Sequence, residues 1–410
     1  MRLRLSMLAL VAMLALAQSA PPGPTPAGSG LDPQRLETIR PRLQALVDHQ
    51  TIPGAVALVA RHGKIALLQA VGWRDIENKK AMQTDSIFQI MSMTKNFTGV
   101  AVMMLVEEGK IELRRPIEDY LPEFHGIQVE EKRSGPDTVY PPKHPPTVWQ
   151  LMDHTSGLGG DPEGELADNP RTMRVPLADA VRFYAHTHLQ FEPGVRWSYS
   201  NMGIATLGRL VEVISGEDYV HFLRTHIFDP LGMKDTFIFP PEDKKDRIAL
   251  VYKHAAGKLV RAGDEILAGD AAKYRQGAKY PAPEFGICST APDLAKFYQM
   301  LLNGGEFESR RYLSRQAIAT MTRVFTPNVK PSGWLGGTGY GLTFEIVTEP
   351  EGTLLLHSPG TFGHGGAFGT EGWMDPKNDL IRIMLVQVAD GSGDAPRSVV
   401  MQIGEAAVVE

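Results

Sequence analysis

Ser92-Met93-Thr94-Lys95 and the run NFTGVAVMMLV that follows at residues 96–106 decide how this chain folds. The run is apolar on all sides, which is typical of a buried helix, and Gly109 just beyond it is a suitable helix end. We therefore predict that Ser92 begins a buried helix. Residues three apart on a helix lie on one face with Cβ atoms about 5–6 Å apart, so the Lys95 amine would reach the Ser92 hydroxyl.

This placement indicates nucleophilic chemistry at Ser92. At the start of a helix the hydroxyl would lie near unpaired backbone N–H groups, which favour the negative charge that develops in acyl transfer. Lys95 would be largely desolvated, and desolvation lowers the pKa of an amine from about 10.4 toward that of a working base. A serine that only caps the helix, with a lysine that extends to solvent, remains the alternative from this motif alone.

Tyr199-Ser200-Asn201 lies on a loop between a turn at Pro193-Gly194 and a predicted helix that ends at Gly216. We expect the Tyr199 phenol to ionise more easily beside a lysine ammonium, or to relay the serine proton to the leaving group. Asn201 would offer its amide to a substrate carbonyl or to Lys95. The alternative is that Tyr199 is a ring half buried under the loop.

His364-Gly365-Gly366-Ala367 precedes two predicted antiparallel strands, one through Met374 and one from Leu380 to Val388. Glycines there would let the backbone and a substrate approach closely, so the N–H groups of Ala367 and Ser92 could form an oxyanion hole. A glycine-rich hairpin with an incidental histidine is the alternative.

The order of predicted helices and strands along the chain indicates the fold class. A helix is predicted from Leu31 to Gln50, strands at Ala55–Ala60 and Lys64–Val71 joined by His62-Gly63, further strands between Gly339 and Ala389, and a closing helix from Pro396 to Val408. Residues from about Glu112 to Phe239 read mostly as helices and loops. We predict an α+β fold, with an antiparallel sheet flanked by helices beside an all-α subdomain and the site in the cleft between them.

The composition of the chain excludes several classes of protein and site. The chain has 410 residues, 43% of them hydrophobic, and a net charge of -5 with scattered basic residues, so it can bury a large core and carries no nucleic-acid footprint. Cys288 is the only cysteine, which excludes an intramolecular disulfide, and its apolar neighbours predict a buried, inert thiol. His186-Thr187-His188 could belong to a zinc site, but a third ligand is missing from the sequence pattern, and we expect no metal and no cofactor.

The N-terminus reads as an export signal. Arg2 and Arg4 precede an apolar run from Leu5 to Leu16 and a small-residue cleavage site at Ala15-Leu16-Ala17. We predict a signal peptide at residues 1–17, a flexible leader at 18–30, and a periplasmic or secreted mature chain with no stable membrane anchor. An uncleaved N-terminal anchor is the alternative.

The motifs together resemble the serine β-lactamase and penicillin-recognising superfamily, in particular its class C-like branch, which also holds family VIII carboxylesterases and D-aminopeptidases. Four further phrases are similar to recurrent ones of that branch: His154-Thr155-Ser156-Gly157-Leu158, Pro230-Leu231-Gly232-Met233, Ser289-Thr290-Ala291-Pro292-Asp293-Leu294 and Gly339-Tyr340-Gly341-Leu342. The resemblance covers residues 31–410. It implies a β-lactamase/transpeptidase-like hydrolase domain, with an α/β part at about 31–111 and 285–410 and a mainly helical part at about 112–284.

By that resemblance Ser92 is the nucleophile, Lys95 and Tyr199 are the acid/base pair, and Asn201 positions the substrate. His364 stands where β-lactamases usually carry the lysine of Lys-Thr-Gly, a permanent cation that holds the β-lactam carboxylate. An unperturbed histidine is mostly neutral at pH 7, and Gly365 also lacks a hydroxyl that often binds that carboxylate. The expectation is a secreted serine hydrolase of small esters, best described as a carboxylesterase.

Several alternatives remain open from the sequence. They are a D-amino-acid peptidase or amidase, a weak class C-like β-lactamase, and a non-catalytic homologue that binds cell-wall peptides or a protein partner. Acyl-chain length, stereoselectivity, oligomeric state and the first proton acceptor, Lys95 or Tyr199, are not decided by the sequence.

Overall fold

The computed structural model describes residues 28–131, 138–263, 265–267, 269, 271, 275, 277–326, 328, 333, 336–353, 355–391 and 394–409. The predicted signal peptide at 1–17 and most of the predicted leader at 18–30 lie outside these ranges. Across the ranges that are described, no helix is long and apolar enough to cross a membrane.

The strands of the described residues, in chain order, are β1 (Gly54–Arg61), β2 (Lys64–Asp75), β3 (Lys80–Ala81), β4 (Phe88–Gln89), β5 (Val129–Glu131), β6 (Thr138–Tyr140), β7 (Tyr252–Ala255), β8 (Lys258–Arg261), β9 (Cys288–Ser289), β10 (Glu306–Phe307), β11 (Arg310–Arg311), β12 (Thr338–Tyr340), β13 (Glu345–Val347), β14 (Phe362–Gly365), β15 (Glu371–Asp375) and β16 (Leu380–Leu385). The α-helices are α1 (Pro33–Glu37), α2 (Ile39–Asp48), α3 (Thr94–Glu107), α4 (Val148–Met152), α5 (Asn169–Thr172), α6 (Leu177–Ala185), α7 (Asn201–Ser215), α8 (Tyr219–Leu223), α9 (Ala291–Leu302), α10 (Arg315–Met321), α11 (Pro350–Thr353) and α12 (Asp394–Ala406).

One eight-stranded sheet organises the molecule, in the order β12-β13-β14-β15-β16-β1-β2-β3, and its neighbouring strands are antiparallel. In the middle of the sheet Leu58 of β1 lies opposite Ile383 of β16. The hairpin from β1 to β2 turns at His62 and Gly63, which both have positive φ, as a tight hairpin turn requires. The predicted antiparallel sheet flanked by helices is confirmed.

Both faces of this sheet are covered, because side chains of a strand alternate between its two faces. All residues of β1 are buried. Val56 and Leu58 belong to the core that contains α3 and α9, whereas Ala57 and Val59 belong to the core formed with α2 and α12. The sheet is thus the middle layer between two helical layers.

Helix α3 runs through the larger core, which explains why its sequence is apolar on all sides. Its first aromatic residue, Phe97, stacks on Phe297 of α9 with ring centroids 3.7 Å apart. Between 112 and 284 the described residues form α4–α8 together with the short hairpins β5-β6 and β7-β8. The division of the chain into an α/β part and a mainly helical part stays a prediction.

Two expected elements differ in detail. The single helix expected from Leu31 to Gln50 is broken at Thr38, because Pro41 has no N–H to donate to the carbonyl of Glu37 and so cannot continue the ladder of α1. The two antiparallel strands expected after His364 are present as β15 and β16, but His364 itself lies in a further strand, β14, which pairs with β15.

Candidate active site

Ser92 lies in a single 3₁₀ turn, Met91–Met93, immediately before α3. Met91 has a φ of 51°, a left-handed conformation that is uncommon and strained for a residue with a side chain. The turn directs Ser92, which is half-buried, into a cavity of about 330 Å³. The nucleophile candidate therefore sits one residue after a strained backbone position and just ahead of the helix predicted from the sequence.

Lys95 is fully buried, and its Nζ donates to Ser92 Oγ at 3.1 Å and to the carbonyl oxygen of Glu284 at 2.8 Å. Burial lowers the pKa of Lys95 to about 7, against the opposing effect of Glu284 and Asp161. This is the direction expected from the sequence. A neutral amine beside Ser92 can accept the hydroxyl proton near neutral pH.

Tyr199 makes a side-chain hydrogen bond with Ser92, and Lys95 Nζ lies 4.7 Å from the centre of its ring. Burial raises the pKa of Tyr199 above its ordinary value, although the bond with Ser92 acts in the opposite direction. The expectation that this phenol ionises more easily is therefore wrong: desolvation of the phenolate outweighs the neighbouring amine. Tyr199 is a neutral O–H group, able to donate or to relay a proton.

Asn201 is the first residue of α7, where the Ser200 side chain caps the helix by accepting from the Gly203 N–H at 2.9 Å. Its Nδ2 donates to Asp161 Oδ1 at 2.7 Å, so the amide is not bonded to Lys95 as one expectation had it. Asn201 Oδ1 is buried and has no hydrogen-bond partner among the described residues. Asp161 thus orients the amide of Asn201, a residue that lines the cavity.

His364 is held at both ring nitrogens. Its Nδ1 lies 2.6 Å from the Gly365 carbonyl oxygen, which can only accept, and its Nε2 lies 2.9 Å from the Tyr340 hydroxyl. A neutral ring therefore donates through Nδ1 and accepts from Tyr340 through Nε2. Burial lowers the pKa of His364 to about 3, with Lys95 and Arg397 adding to the effect.

The chain of hydrogen bonds continues on the far side of Tyr340. His154 Nε2 lies 3.2 Å from the Tyr340 hydroxyl, and the backbone N–H of Ser200 donates to His154 Nδ1 at 3.1 Å. Because the Ser200 N–H can only donate and the Gly365 carbonyl can only accept, every bond in the series has one direction. This series links the loop that carries Tyr199 to the end of β14.

Gly365 and Gly366 are glycines because other groups pass close to their Cα atoms. A Cβ on Gly366 would meet Thr370 Oγ1 and, at 2.5 Å, the carbonyl oxygen of Ile90, next to the turn that carries Ser92. A Cβ on Gly365 would lie 2.6 Å from Glu371 Oε1. Ala367, which follows, is exposed and lines the same cavity as Ser92.

The wall of the cavity carries more acidic than basic side chains. Asp161, Glu345 and Glu371 contribute carboxylates, while Arg397 contributes a guanidinium. Arg397 Nε lies 2.7 Å from Glu371 Oε1, so its charge is compensated within the wall. The cavity as a whole does not favour a substrate with a free carboxylate.

A family model described as Beta-lactamase matches residues 39–402. The chain belongs to the β-lactamase family.

Relatives of this β-lactamase-family protein span nearly the whole chain. An uncharacterised protein of Mycobacterium tuberculosis (strain CDC 1551 / Oshkosh) is 31% identical over 380 residues, 87% of this chain and 91% of the relative. Esterase EstB of Burkholderia gladioli is 26% identical over 385 residues, 88% of this chain and 93% of that protein.

A solved structure shows the same fold. It is EstCE1, described as a hydrolase with promiscuous acyltransferase activity, which superposes with a TM-score of 0.79 at 24% identity and covers 92% of this chain and 99% of its own. Together, the family and the esterase relative identify the chain as a serine hydrolase of small-molecule substrates.

The structure brings Ser92, Lys95, Tyr199, Asn201, His364, Gly365, Gly366 and Ala367 to one cavity or its immediate wall. Sequence reasoning missed Asp161 and Glu284, which no motif marks, and quoted His154 and Tyr340 only inside family phrases. The two histidines of the zinc alternative lie elsewhere: His186 Nδ1 donates to the carbonyl of Arg182, and His188 is exposed.

Proposed function

We propose that this serine hydrolase is a carboxylesterase that cleaves small esters through an acyl-enzyme on Ser92. Lys95 takes the Ser92 proton while Oγ bonds to the ester carbonyl carbon, and the N–H groups of Ser92 and Ala367 donate hydrogen bonds to the resulting oxyanion. The carbonyl carbon then loses the alkoxy oxygen, which takes a proton from the Tyr199 hydroxyl, and the Lys95 ammonium restores that proton.

Deacylation reverses these roles with water in place of the alcohol. A water molecule gives a proton to the Lys95 and Tyr199 pair as its oxygen bonds to the acyl carbon. The acid then leaves as the bond to Ser92 Oγ breaks, and Oγ regains its proton. The raised pKa of Tyr199 and the lowered pKa of Lys95 support the lysine as first proton acceptor.

The observation that carries the preference for esters is the state of His364. It stands where the family resemblance places the carboxylate-binding lysine of β-lactamases, yet it is neutral and both of its nitrogens are already hydrogen-bonded within the protein. Arg397, the nearby cation, is balanced by Glu371. A neutral ester needs no cation, whereas a β-lactam carboxylate would lack one.

The test is a substrate panel on one protein preparation: p-nitrophenyl butyrate, D-alanine p-nitroanilide and the chromogenic cephalosporin nitrocefin. We expect the highest kcat/KM with the ester, and Ser92→Ala should abolish its turnover while the circular dichroism spectrum stays unchanged. A Ser92→Ala variant with undiminished ester turnover would overturn the nucleophile, and a preference for nitrocefin would overturn the substrate class.

A D-amino-acid amidase is the second candidate, and one observation favours it. Asp161, which is bonded to Asn201, and Glu345 both line the cavity, where a carboxylate could pair with the free ammonium of an amino-acid substrate. If N-acetyl-D-alanine p-nitroanilide is added to the panel, an amidase of this kind should cleave it more slowly than D-alanine p-nitroanilide. Equal rates for the two substrates would show that these acids do not bind the substrate ammonium.

A non-catalytic homologue would behave differently from either enzyme. Electrospray mass spectrometry after a brief incubation with p-nitrophenyl butyrate would show a mass increase of one butyryl group on an enzyme. A binding protein would stay unmodified.

We also propose that the mature protein is exported. The support is the predicted signal at residues 1–17 and its cleavage site near Ala17. Expression of the full chain in a bacterial host, followed by fractionation and N-terminal sequencing, should give a periplasmic or secreted form that begins near residue 18. An intact Met1 in the cytoplasmic fraction would contradict the proposal.

A further inference from the structure

Glu284 is a buried carboxyl group beside the catalytic lysine that the mechanism above does not use. It is 2% exposed, and its backbone carbonyl oxygen accepts the 2.8 Å hydrogen bond from Lys95 Nζ. Its Oε1 accepts from the Tyr280 hydroxyl at 2.7 Å, while its Oε2 is buried with no hydrogen-bond partner in the described part of the chain. A carboxylate with one unpaired oxygen is costly to bury unless an opposite charge lies close to it.

The segment that carries Glu284 is fixed from several sides. The carbonyl of Pro283 accepts from Thr98 Oγ1 of α3 at 2.6 Å, and the N–H of Gly286 donates to the carbonyl of Ala282 at 2.6 Å. Glu284 is thus tied to the same helix that carries Lys95, so the two groups keep their separation when the site is occupied.

Lys95 needs a counter-charge during the reaction. When it takes the Ser92 proton it becomes an ammonium in a fully buried place, and such an ion is stable only near an opposite charge. The groups that act on Lys95 are Ser92, Tyr199, His154, His364, Asp161 and Glu284. Ser92 and Tyr199 are neutral before the reaction and the two histidines are neutral rings, which leaves the two acids.

Glu284 has the stronger effect of these two acids on Lys95, and Asp161 is exposed to solvent, which screens it. Around Glu284 itself lie Tyr280, Tyr184, Lys95 and Asp161. Tyr184 lies within 3.4 Å of the Tyr280 hydroxyl, which can accept from it while donating to Glu284. Burial raises the pKa of Glu284 to about 7, whereas the hydrogen bond from Tyr280 and the charge of Lys95 act in the opposite direction and favour the carboxylate.

We infer that the Glu284 carboxylate is the buried counter-charge of the Lys95 ammonium formed as Ser92 is acylated, and that it sets the pH range in which Ser92 is reactive. Glu284 is therefore a positioning residue that acts through Lys95. The inference rests on the proposed function, since it assumes that Lys95 deprotonates Ser92.

The test measures Ser92 reactivity without requiring turnover. The rate of labelling by diisopropyl fluorophosphate, in which Oγ bonds to phosphorus and fluoride leaves, is followed by intact mass between pH 5 and pH 10 in steps of about half a unit. In the wild type we expect the rate to rise with pH, with its midpoint near 7, as the Lys95 amine loses its proton.

Glu284→Gln keeps the size of the side chain and its acceptor for Tyr280 but removes the charge. Without the carboxylate the ammonium loses stabilisation, so the midpoint should move to lower pH by about one unit. The plateau rate should also fall several-fold, because a less basic amine is a weaker general base. Tyr280→Phe removes the hydrogen bond that favours the carboxylate and should move the midpoint in the same direction by a smaller amount.

Tyr298→Phe is the matched control, since it also removes one buried hydroxyl but one with no hydrogen-bond partner among the described residues. It should leave the midpoint unchanged. Coincident midpoints for wild type, Glu284→Gln and Tyr280→Phe would overturn the inference while leaving the proposed function intact. No labelling of wild-type Ser92 at any pH would overturn the proposed function, and the inference with it. If Glu284→Gln does not fold, Tyr280→Phe decides the question.

Discussion

At Lys95 and Tyr199, burial shifts the two pKa values in opposite directions. It disfavours the charged form of each group, so the amine becomes a better base near pH 7 and the phenol a worse acid. The sequence predicts the first effect because the helix around Lys95 is apolar throughout. It does not predict the second, since the depth at which a loop residue such as Tyr199 lies depends on distant elements.

Tyr199→Phe should leave the fold intact and lower kcat for an aryl ester by about 10²–10⁴-fold, the usual contribution of a positioned proton-transfer group. KM should change little, because the ring that faces Lys95 is retained. Stopped-flow and steady-state assays with p-nitrophenyl butyrate would measure both constants. A kcat within twofold of the wild type would show that Lys95 alone carries the proton.

Two strands and a loop meet at Tyr340, where its hydroxyl bridges His154 and His364. The structure explains a family phrase that sequence alone leaves without a role: Gly339-Tyr340-Gly341 places this hydroxyl between two buried rings. No periodicity or spacing in the sequence indicates that residues 154, 340 and 364 lie side by side, because they come from three separate parts of the chain.

Tyr340→Phe should leave a ring N–H of His154 and a ring nitrogen of His364 unpaired. We expect a loss of about 1–3 kcal/mol in the free energy of unfolding. We also expect a lower kcat/KM for the ester, because β14 loses the hydrogen bond that helps to position the following segment with Ala367. Tyr252→Phe is the control, since it removes another hydroxyl, bonded to Glu77 at 2.6 Å, away from the cavity. Equal kcat/KM values for the two variants would contradict a role for the series.

The end of β14 packs closely against the turn before α3, because Gly366 has no side chain to separate them. The glycine pattern of the sequence predicts a close approach here, and the structure identifies the neighbour as Ile90, whose carbonyl oxygen would lie 2.5 Å from a Cβ. Sequence reasoning could not name it, because residues 90 and 366 are far apart in the chain and meet only in the folded structure.

Gly366→Ala should therefore push β14 away from Ser92. Overpacking of this kind costs about 1–3 kcal/mol, and we expect a larger fractional loss in kcat than in thermal stability because Ala367 moves with the strand. Gly404→Ala, on α12, is a control for overpacking away from the cavity, since its new methyl would meet the buried side chains of Arg382 and Val59 at 3.0–3.4 Å. A wild-type kcat in the Gly366→Ala variant would show that the close packing of Gly366 against Ile90 does not position Ser92 and Ala367.

For the molecule as a whole, buried ionisable groups make stability depend on pH. Asp153 is fully buried, and burial raises its pKa to about 8, although hydrogen bonds from Thr155 act in the opposite direction. The folded chain therefore keeps a proton on Asp153 between pH 4 and 8 that the unfolded chain, with an ordinary pKa near 3.8, has lost. Raising the pH across this window favours the unfolded state.

Asp153→Asn removes this titratable group, so it no longer contributes to the pH dependence of the unfolding free energy. Relative to the variant, the wild type should lose about 1.4 kcal/mol of unfolding free energy for each pH unit between about 4 and 8. Urea unfolding at several pH values would give the two slopes, and Asp179→Asn, a change at an exposed acid, should leave the wild-type slope unchanged. Parallel slopes for the wild type and Asp153→Asn would show that Asp153 is ionised in the folded protein.

The pairing of β1 with β16 has a consequence for biosynthesis. These neighbours in the middle of the sheet are separated by more than three hundred residues of chain, and β1 is buried on both faces. A ribosome therefore releases β1 and β2 as a hairpin with one unprotected edge long before its partner has been made. Nascent chains stalled before residue 380 should bind chaperones and resist folding, and an unfolded chain of this kind is what the export proposed above would require.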